Sequence, residues 1–311
     1  MSTPEHCDIN RLPLGNSEFS DVREDKMIYV DKTDIIYKIA SQRSPIFFSR
    51  PRRFGKTLLV NTLSSLFSNG LEYFHGLKIE KIWNDTTYHV VRLDFSGMAS
   101  NNAKGLIKSL GYTIINEFCL DGKVSQYDEN SLLDPDRILY KIVNNLPNKS
   151  TVLLIDEYDA PLTHHIDDRN ELNKIINVLN NFYATIKQFS GKFRLIFITG
   201  ITRVSHVSIF SAFNNIIDLS LDEEYNSLLG FTQNDMKQYF DQYIEKSAQI
   251  LNMKKDEVYQ RIEQYYDGFQ FAFDAKETVY NPWSIMRFFR NPEKGFQNYW
   301  FESGGISSIT L

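Results

Sequence analysis

Residues 45–58, PIFFSRPRRFGKTL, limit the fold more tightly than any other stretch of the chain. Ile46, Phe47 and Phe48 form a short apolar run that suits a buried strand, while Leu58, Leu59, Leu63, Leu66 and Phe67 recur at helical spacing. The chain should therefore run strand, loop, helix. At such a junction the free N–H groups of the first helical turn and the positive end of the helix dipole face the loop, which makes a seat for phosphate. Gly55 lets the backbone approach closely, Lys56 reaches outer phosphates as a point charge, and the Thr57 hydroxyl is placed for Mg²⁺. These residues make the second half of a Walker A loop. Arg52, Arg53, Phe54, Gly55, Lys56, Thr57 and Leu58 are the candidate nucleotide-binding residues. The first half departs from G-x-x-x-x-G-K-[ST], because Arg50 stands at the first glycine and is followed by Pro51, Arg52 and Arg53. Their guanidinium groups are expected to add positive charge near a bound anion. The alternative is a basic turn that merely precedes a helix.

A second stretch answers the first. Thr151, Val152, Leu153, Leu154 and Ile155 form a continuous, partly β-branched apolar run, the pattern of a strand buried on both faces of a parallel sheet. It ends in Asp156-Glu157-Tyr158-Asp159, and the carboxyl ends of central strands are where open α/β sheets bind ligands. Asp156 is the candidate Mg²⁺ partner, directly or through water. Glu157 is the candidate base or orienter of an attacking water. Carboxylates that only cap a loop remain the competing explanation, weakened by the Gly55-Lys56-Thr57 half-site upstream.

The 311 residues suit two domains or one large domain with an appendage, and 42% hydrophobic residues with 23 Phe and 17 Tyr exclude a disordered chain. A net charge of -5 argues against wholesale wrapping by nucleic acid, although a local basic patch from Arg50 to Lys56 could still meet one. Cys7 and Cys119 lack metal-ligand spacing and suggest neither zinc nor a disulfide framework. The N-terminal residues MSTPEHCDINRL lack a signal-peptide pattern, and no apolar run reaches membrane-spanning length. A soluble, cytoplasmic protein is expected.

Along the chain, residues 1–25 read as an extended arm and Thr33 or Asp34 as the cap of a helix through Ile39. Further strands are expected at residues 88–95, 193–199 and 216–219, with helices at 102–119, around Ile138 to Val143, and at 171–189. Alternating strand and helix implies a parallel sheet. His75 and His89 lack partners at ligand spacing and read as surface or core-edge residues. Gly200-Ile201-Thr202-Arg203 follows the fourth strand at the same edge as Asp156. An Arg or Thr there would stabilise charge developing on an outer phosphate, a surface-loop Arg203 being the alternative. Beyond residue 222 the pattern becomes helical and aromatic. Thr232 caps a helix with Met236, Tyr239, Phe240 and Ile244, a second helix covers 256–266, and Pro282 opens a third. The expected division is an arm at 1–25, a P-loop core at 26–221 and a helical lid at 222–311. The lid is expected to move on the core when nucleotide binds.

The ordered set YVDKT, RPRRFGKT, LLIDEYDAPL, GITRVSHVSIFSAFNNI, YYDGF and VYNPWSI resembles the AAA-ATPase-like family of bacterial P-loop proteins, from about Leu12 to Gly305. The resemblance implies an α/β P-loop ATPase whose arginine-bearing loop is typical. It also implies Lys56 and Thr57 as phosphate and Mg²⁺ residues, Asp156 and Glu157 as a Walker B pair, Arg203 as a sensor, and ATP with Mg²⁺ as cofactors. Relatives usually continue past YWFESG into a PD-(D/E)XK nuclease-like domain. This sequence stops at Leu311 without a strand carrying Asp followed by Glu-x-Lys, so no nuclease activity is expected. Three functions are in play: an ATP-hydrolysing switch, a weakly hydrolysing nucleotide-binding platform, and a nucleic-acid-associated protein using Arg50, Arg52 and Arg53 on a phosphate backbone. The paired Asp156 and Glu157 favour the first, and lack of a guanine-reading Asn-Lys-x-Asp motif favours ATP over GTP.

Overall fold

The computed structural model describes residues 8–98, 102–118, 131–163, 165–203 and 215–300. Two short helices, α1 (Phe19–Glu24) and α2 (Thr33–Ala40), lead into β1 (Ile46–Ser49) and α3 (Lys56–Asn69). Then come β2 (His89–Asp94), α4 (Ala103–Phe118), α5 (Pro135–Asn145), β3 (Thr151–Asp156), α6 (Ala160–Thr163) and α7 (Arg169–Gln188). The strands β4 (Phe193–Gly200) and β5 (Ile217–Asp218) follow, and after them come the helices α8 (Gln233–Tyr239), α9 (Asp241–Leu251), α10 (Lys255–Tyr266) and α11 (Pro282–Arg290).

The strands form one five-stranded sheet in the order β2-β3-β4-β1-β5, with every pair parallel. The expected α/β fold is thus present. β3 and β4 are buried at every position because helices cover both faces. Alternate residues feed two cores, as the two-residue period of a strand requires. Leu153, Ile155, Ile196 and Ile198 pack with α4, α5 and α7, while Val152, Leu154, Leu195 and Phe197 pack with α2 and α3. A third core joins α8 to α11 and takes in Leu12, Ile28 and Val30 from the N-terminal part of the chain.

The register aligns the strand ends that matter. Asp94 of β2 pairs with Asp156 of β3, and Ser49 of β1 pairs with Gly200 of β4. All four residues lie at the carboxyl edge of the sheet. The phosphate-loop strand β1 and the acid-bearing strand β3 are not neighbours, because β4 lies between them.

Three local expectations differ from what is found. Thr33 and Asp34, expected as the cap of the first long helix, both lie inside α2, whose N-cap is Lys32 without a side-chain cap, because the Thr33 hydroxyl instead bonds Asp31 at 2.6 Å. Residues 19–24, expected within an extended arm, form α1, because Phe19 and Val22 find a core to enter; Phe19 lies 4.7 Å from the Phe74 ring. The helix expected to run from Thr232 past Ile244 breaks at Phe240, whose φ of -120° and ψ of 4° leave the helical region. Phe240 packs on Phe231 at 4.9 Å and Phe289 at 5.6 Å, so aromatic packing interrupts an otherwise unbroken helical pattern. Thr232 does cap α8, in a capping box with Asp235.

His75 is exposed and meets Glu80 at 2.9 Å. His89 is half-buried and its pKa is pushed down by burial. Among the described residues no group of three or more His, Cys, Asp or Glu is set to hold a metal, and no helix is long and apolar enough to cross a membrane. Cys7, Cys119, residues 121–130, residues 204–214 of the GITRVSHVSIFSAFNNI motif, and the YWFESG stretch beyond Trp300 lie outside the described residues.

Candidate functional site

The loop after β1 is shaped by backbone conformations few residues adopt. The Arg50 N–H extends the β1·β4 ladder to the Gly200 carbonyl at 3.2 Å. The chain then turns through Arg53 and Gly55, both at positive φ, 74° and 92°. A Cβ at Gly55 would meet no atom within 4 Å, so backbone conformation and not space calls for glycine there. Gly55 is the N-cap of α3 and offers no side chain to the first-turn N–H groups. These donors and the helix dipole remain directed at the loop. Lys56 is 5% exposed and its Nζ donates to the Pro51 carbonyl at 3.2 Å, folding the side chain across the loop.

Opposite this turn, β3 delivers its acids. The Glu157 N–H donates to Asp156 Oδ1 at 3.0 Å, and Thr57 stands near enough to the Asp156 carboxylate to hold its pKa down against burial. Glu157 itself sits at a φ of 49°, an uncommon conformation for a residue with a Cβ. Burial is the largest influence on every charge here. It pushes the Lys56 ammonium down, against the pull of Glu157, Asp156 and Asp159. It likewise pushes Asp156, Glu157 and Asp159 up. Asp94 raises Asp156 and Glu157 further, while Lys56 opposes the rise in both. One buried ammonium thus serves three carboxylates, an imbalance that a divalent cation would correct. Mg²⁺ is commonly held by one or two carboxylates with waters and substrate phosphates, and Thr57 with Asp156 fits that role.

The arginines of the loop part company. Arg50 was expected to add charge near the anion or to meet nucleic acid. Instead it is 1% exposed: Nη1 donates to the carbonyls of Ser49 and Ser220 at 2.9 and 2.7 Å, and Nη2 to that of Tyr225 at 2.9 Å. Its guanidinium carbon lies 4.3 Å from the Phe48 ring centroid and 4.1 Å from that of Phe271. Burial lowers its pKa to about 9, which leaves it cationic at neutral pH. A side chain so enclosed cannot contact an external phosphate backbone. Arg53 lies 3.9 Å from the Trp283 ring centroid at the start of α11, and its pKa is lowered first by burial and then by Arg287 and Arg52. Phe54 is buried edge-on against Phe269 and Phe271, at 4.9 and 5.2 Å.

Beside the loop lies a cavity of about 430 Å³. Arg52 to Leu58 and Glu157 contribute to its lining, together with residues that include Pro13, Asn16 and Ser17, Ile28, Tyr29 and Val30, and Phe231, Trp283 and Met286. Its size and largely apolar lining around a few polar groups are those of a small-ligand site. Arg203 is mostly exposed and its Nη1 meets Asp218 Oδ2 of β5 at 3.5 Å. It lies beyond the end of β4 at the same sheet edge, outside the cavity lining.

The family model described as Predicted AAA-ATPase (AAA-ATPase-like) matches residues 13–210. The chain belongs to this family. A relative from Azotobacter chroococcum mcd 1, an uncharacterized protein in the vnfD 5′ region, is 31% identical over 297 residues, covering 94% of this chain and 54% of the relative. The chain therefore spans about half the length of that curated relative. The Walker-type ATPase PABY2304 of Pyrococcus abyssi shares 13% identity, with 89% of this chain and 70% of that one covered and a TM-score of 0.43. The Drosophila ORC structure bound to AT-rich DNA and Cdc6 shares 10% identity over 93% of this chain and 40% of that one, with a TM-score of 0.37.

In this AAA-ATPase-like chain the sequence-based candidates Arg52, Arg53, Phe54, Gly55, Lys56, Thr57, Leu58 and Glu157 line one cavity, and Asp156 is hydrogen-bonded to the Glu157 N–H beside it. Two residues of the site escaped sequence reasoning. Asp159 is 1% exposed, and its Oδ2 accepts the N–H groups of Ile201 and Thr202 at 3.0 and 3.2 Å. Its place in an Asp-Glu-Tyr-Asp run was visible, but its use as a clamp between two loops was not. Asp94 became part of the site through the β2·β3 register alone.

Proposed function

We propose that the chain binds Mg-ATP between the carboxyl edge of the sheet and the helical region, and hydrolyses it. The observation that carries this reading is the buried Lys56 at the uncapped N-terminus of α3, with the carboxylates of Glu157, Asp156 and Asp159 close enough to act on its ammonium. In this reading the first-turn N–H groups of α3 and the Lys56 ammonium hold the phosphates. Thr57 and Asp156 hold Mg²⁺. The ion supplies charge neutralisation at the outer phosphoryl oxygens.

Glu157 accepts the proton of the attacking water or orients that water. Its raised pKa, set by burial, moves its basicity toward the working range of a general base. Arg203, beyond β4, is assigned the response to the outer phosphate within the same chain or across an interface. The rest of the nucleotide enters the cavity between Ile28, Tyr29 and Val30 and the start of α11. In this reading residues 222–311 act as a lid on a core at 26–221, the nucleotide bridges the two, and the chain works as a conformational switch.

The test is equilibrium binding of a fluorescent ATP analogue with Mg²⁺ to the wild type and Lys56→Ala, followed by phosphate release from Glu157→Gln. Binding lost in the first variant, and turnover lost with binding kept in the second, is the expected result. A wild type that binds no nucleotide would overturn the reading.

A further inference from the structure

Phe271 is touched from both ends of the phosphate loop. Arg50, where the loop begins, places its guanidinium 4.1 Å from the Phe271 ring centroid. Phe54, just before the loop enters α3, lies edge-on to the same ring at 5.2 Å. Arg50 also bonds the carbonyls of Ser220 and Tyr225, which lead into the helical region. The segment bearing Phe271 is tied in turn to the start of α11. Phe269 and Val279 exchange backbone hydrogen bonds at 2.9 and 3.4 Å, Phe231 and Tyr280 do so at 2.8 and 3.1 Å, and Trp283 carries Arg53.

These contacts explain what the missing glycine of the Walker pattern is exchanged for. A glycine at position 50 would leave the loop's first residue without side-chain attachment. Arginine instead gives the loop a buried cation that bonds the carbonyls of Ser220, just past β5, and of Tyr225, and packs one face on Phe271 of the helical region. The loop also contains Arg53 at positive φ, a conformation that persists only when its surroundings hold it.

We propose that Arg50 and Phe271 are positioning residues of the phosphate loop, which keeps its anion-receiving shape only while the segment carrying Phe269 and Phe271 is seated against it. The helical region then regulates phosphate binding from behind the loop as well as across the cavity. The consequence for phosphate binding rests on the nucleotide reading above; the mechanical coupling does not.

The experiment is hydrogen exchange by mass spectrometry on the full chain without nucleotide, for the wild type, Phe271→Leu and Phe271→Tyr. Phe182→Leu serves as a control in the core on the other side of the sheet. In Phe271→Leu, amides of residues 50–58 should exchange at least about fivefold faster while those of β3 are unchanged, and Phe271→Tyr, which keeps the ring, should restore protection. Unchanged loop exchange in a folded Phe271→Leu, or equal acceleration in Phe182→Leu, would overturn the proposal. If Phe271→Leu does not fold, Arg50→Lys, which keeps the charge but not the planar stack, takes the same readout and decides in the same way. In a parallel arm with the fluorescent Mg-ATP analogue, Phe271→Leu should weaken binding about tenfold with recovery in Phe271→Tyr. Absence of binding in the wild type would count against the nucleotide reading, while the exchange result still decides the coupling.

Discussion

Asp159 accepts the backbone N–H groups of Ile201 and Thr202 and so ties the loop after β3 to the loop after β4. The Tyr158 hydroxyl adds a donor to the Thr202 carbonyl at 2.8 Å. Gly200, between these partners, has no room for a Cβ, which would stand 2.5 Å from the Tyr158 ring and 2.8 Å from Asp159 Oδ1. The acid loop and the segment leading to Arg203 therefore move as one piece.

Replacing Asp159 should be costly. Asp159→Ala leaves two N–H donors without their acceptor, and a loss of about 2 kcal/mol or more is expected in urea unfolding. Asp159→Asn keeps one acceptor oxygen and should lose less. Equal stability of the alanine variant and the wild type would contradict this clamp.

Lys56→Ala should separate binding from folding. The ammonium is acted on by the buried Asp156 and Asp159 and the half-buried Glu157, and truncating one member of such a group typically costs about 2–5 kcal/mol of binding. Calorimetric titration with Mg-ATP should show affinity reduced by at least about thirtyfold. The free protein should keep its native circular dichroism.

The acid cluster makes stability depend on pH in a stated direction. Asp156 and Glu157 have folded-state pKa values above their ordinary ones, so the folded state holds protons that the unfolded state has released. Stability without nucleotide should fall as pH rises from the ordinary carboxylate range through the raised values, and level off beyond them. Thermal midpoints of Glu157→Gln should exceed those of the wild type above that window and converge with them below it. Parallel curves for the two proteins would show that Glu157 carries no such strain.

Gly230→Ala should loosen the helical region. Gly230 sits at a φ of 100°, and a Cβ there would stand 2.6 Å from Val279 Cγ2. A loss of about 2 kcal/mol is expected from the conformation and the clash together. Proteolysis between α8 and α11 should become faster than in the wild type.

Much of the fold was legible because its elements advertise themselves locally. The apolar run before Asp156 and the helical spacing after Gly55 both became the elements expected. Gly70 ends α3 at a φ of 65°, a conformation that glycine adopts without strain. What stayed hidden depends on pairing. Nothing in residues 193–200 says that they lie between β1 and β3, since an all-buried strand carries no mark of its neighbours. Arg50 misled for the same reason: its charge suggested solvent or phosphate, and only the approach of Ser220, Tyr225 and Phe271 gives the guanidinium an interior to occupy. Asp94 required a register, and Asp159 required two loops to meet.

The position of β4 has a final implication. The strand that presents Lys56 and the strand that presents Asp156 are each laddered to it, one on either side, so the span between ammonium and carboxylate is measured across two consecutive parallel ladders. Changing that span would require both ladders to shear together, in the most enclosed part of the sheet. The chemical gap is thus set by a rigid ruler, and compliance is left to whatever closes over it.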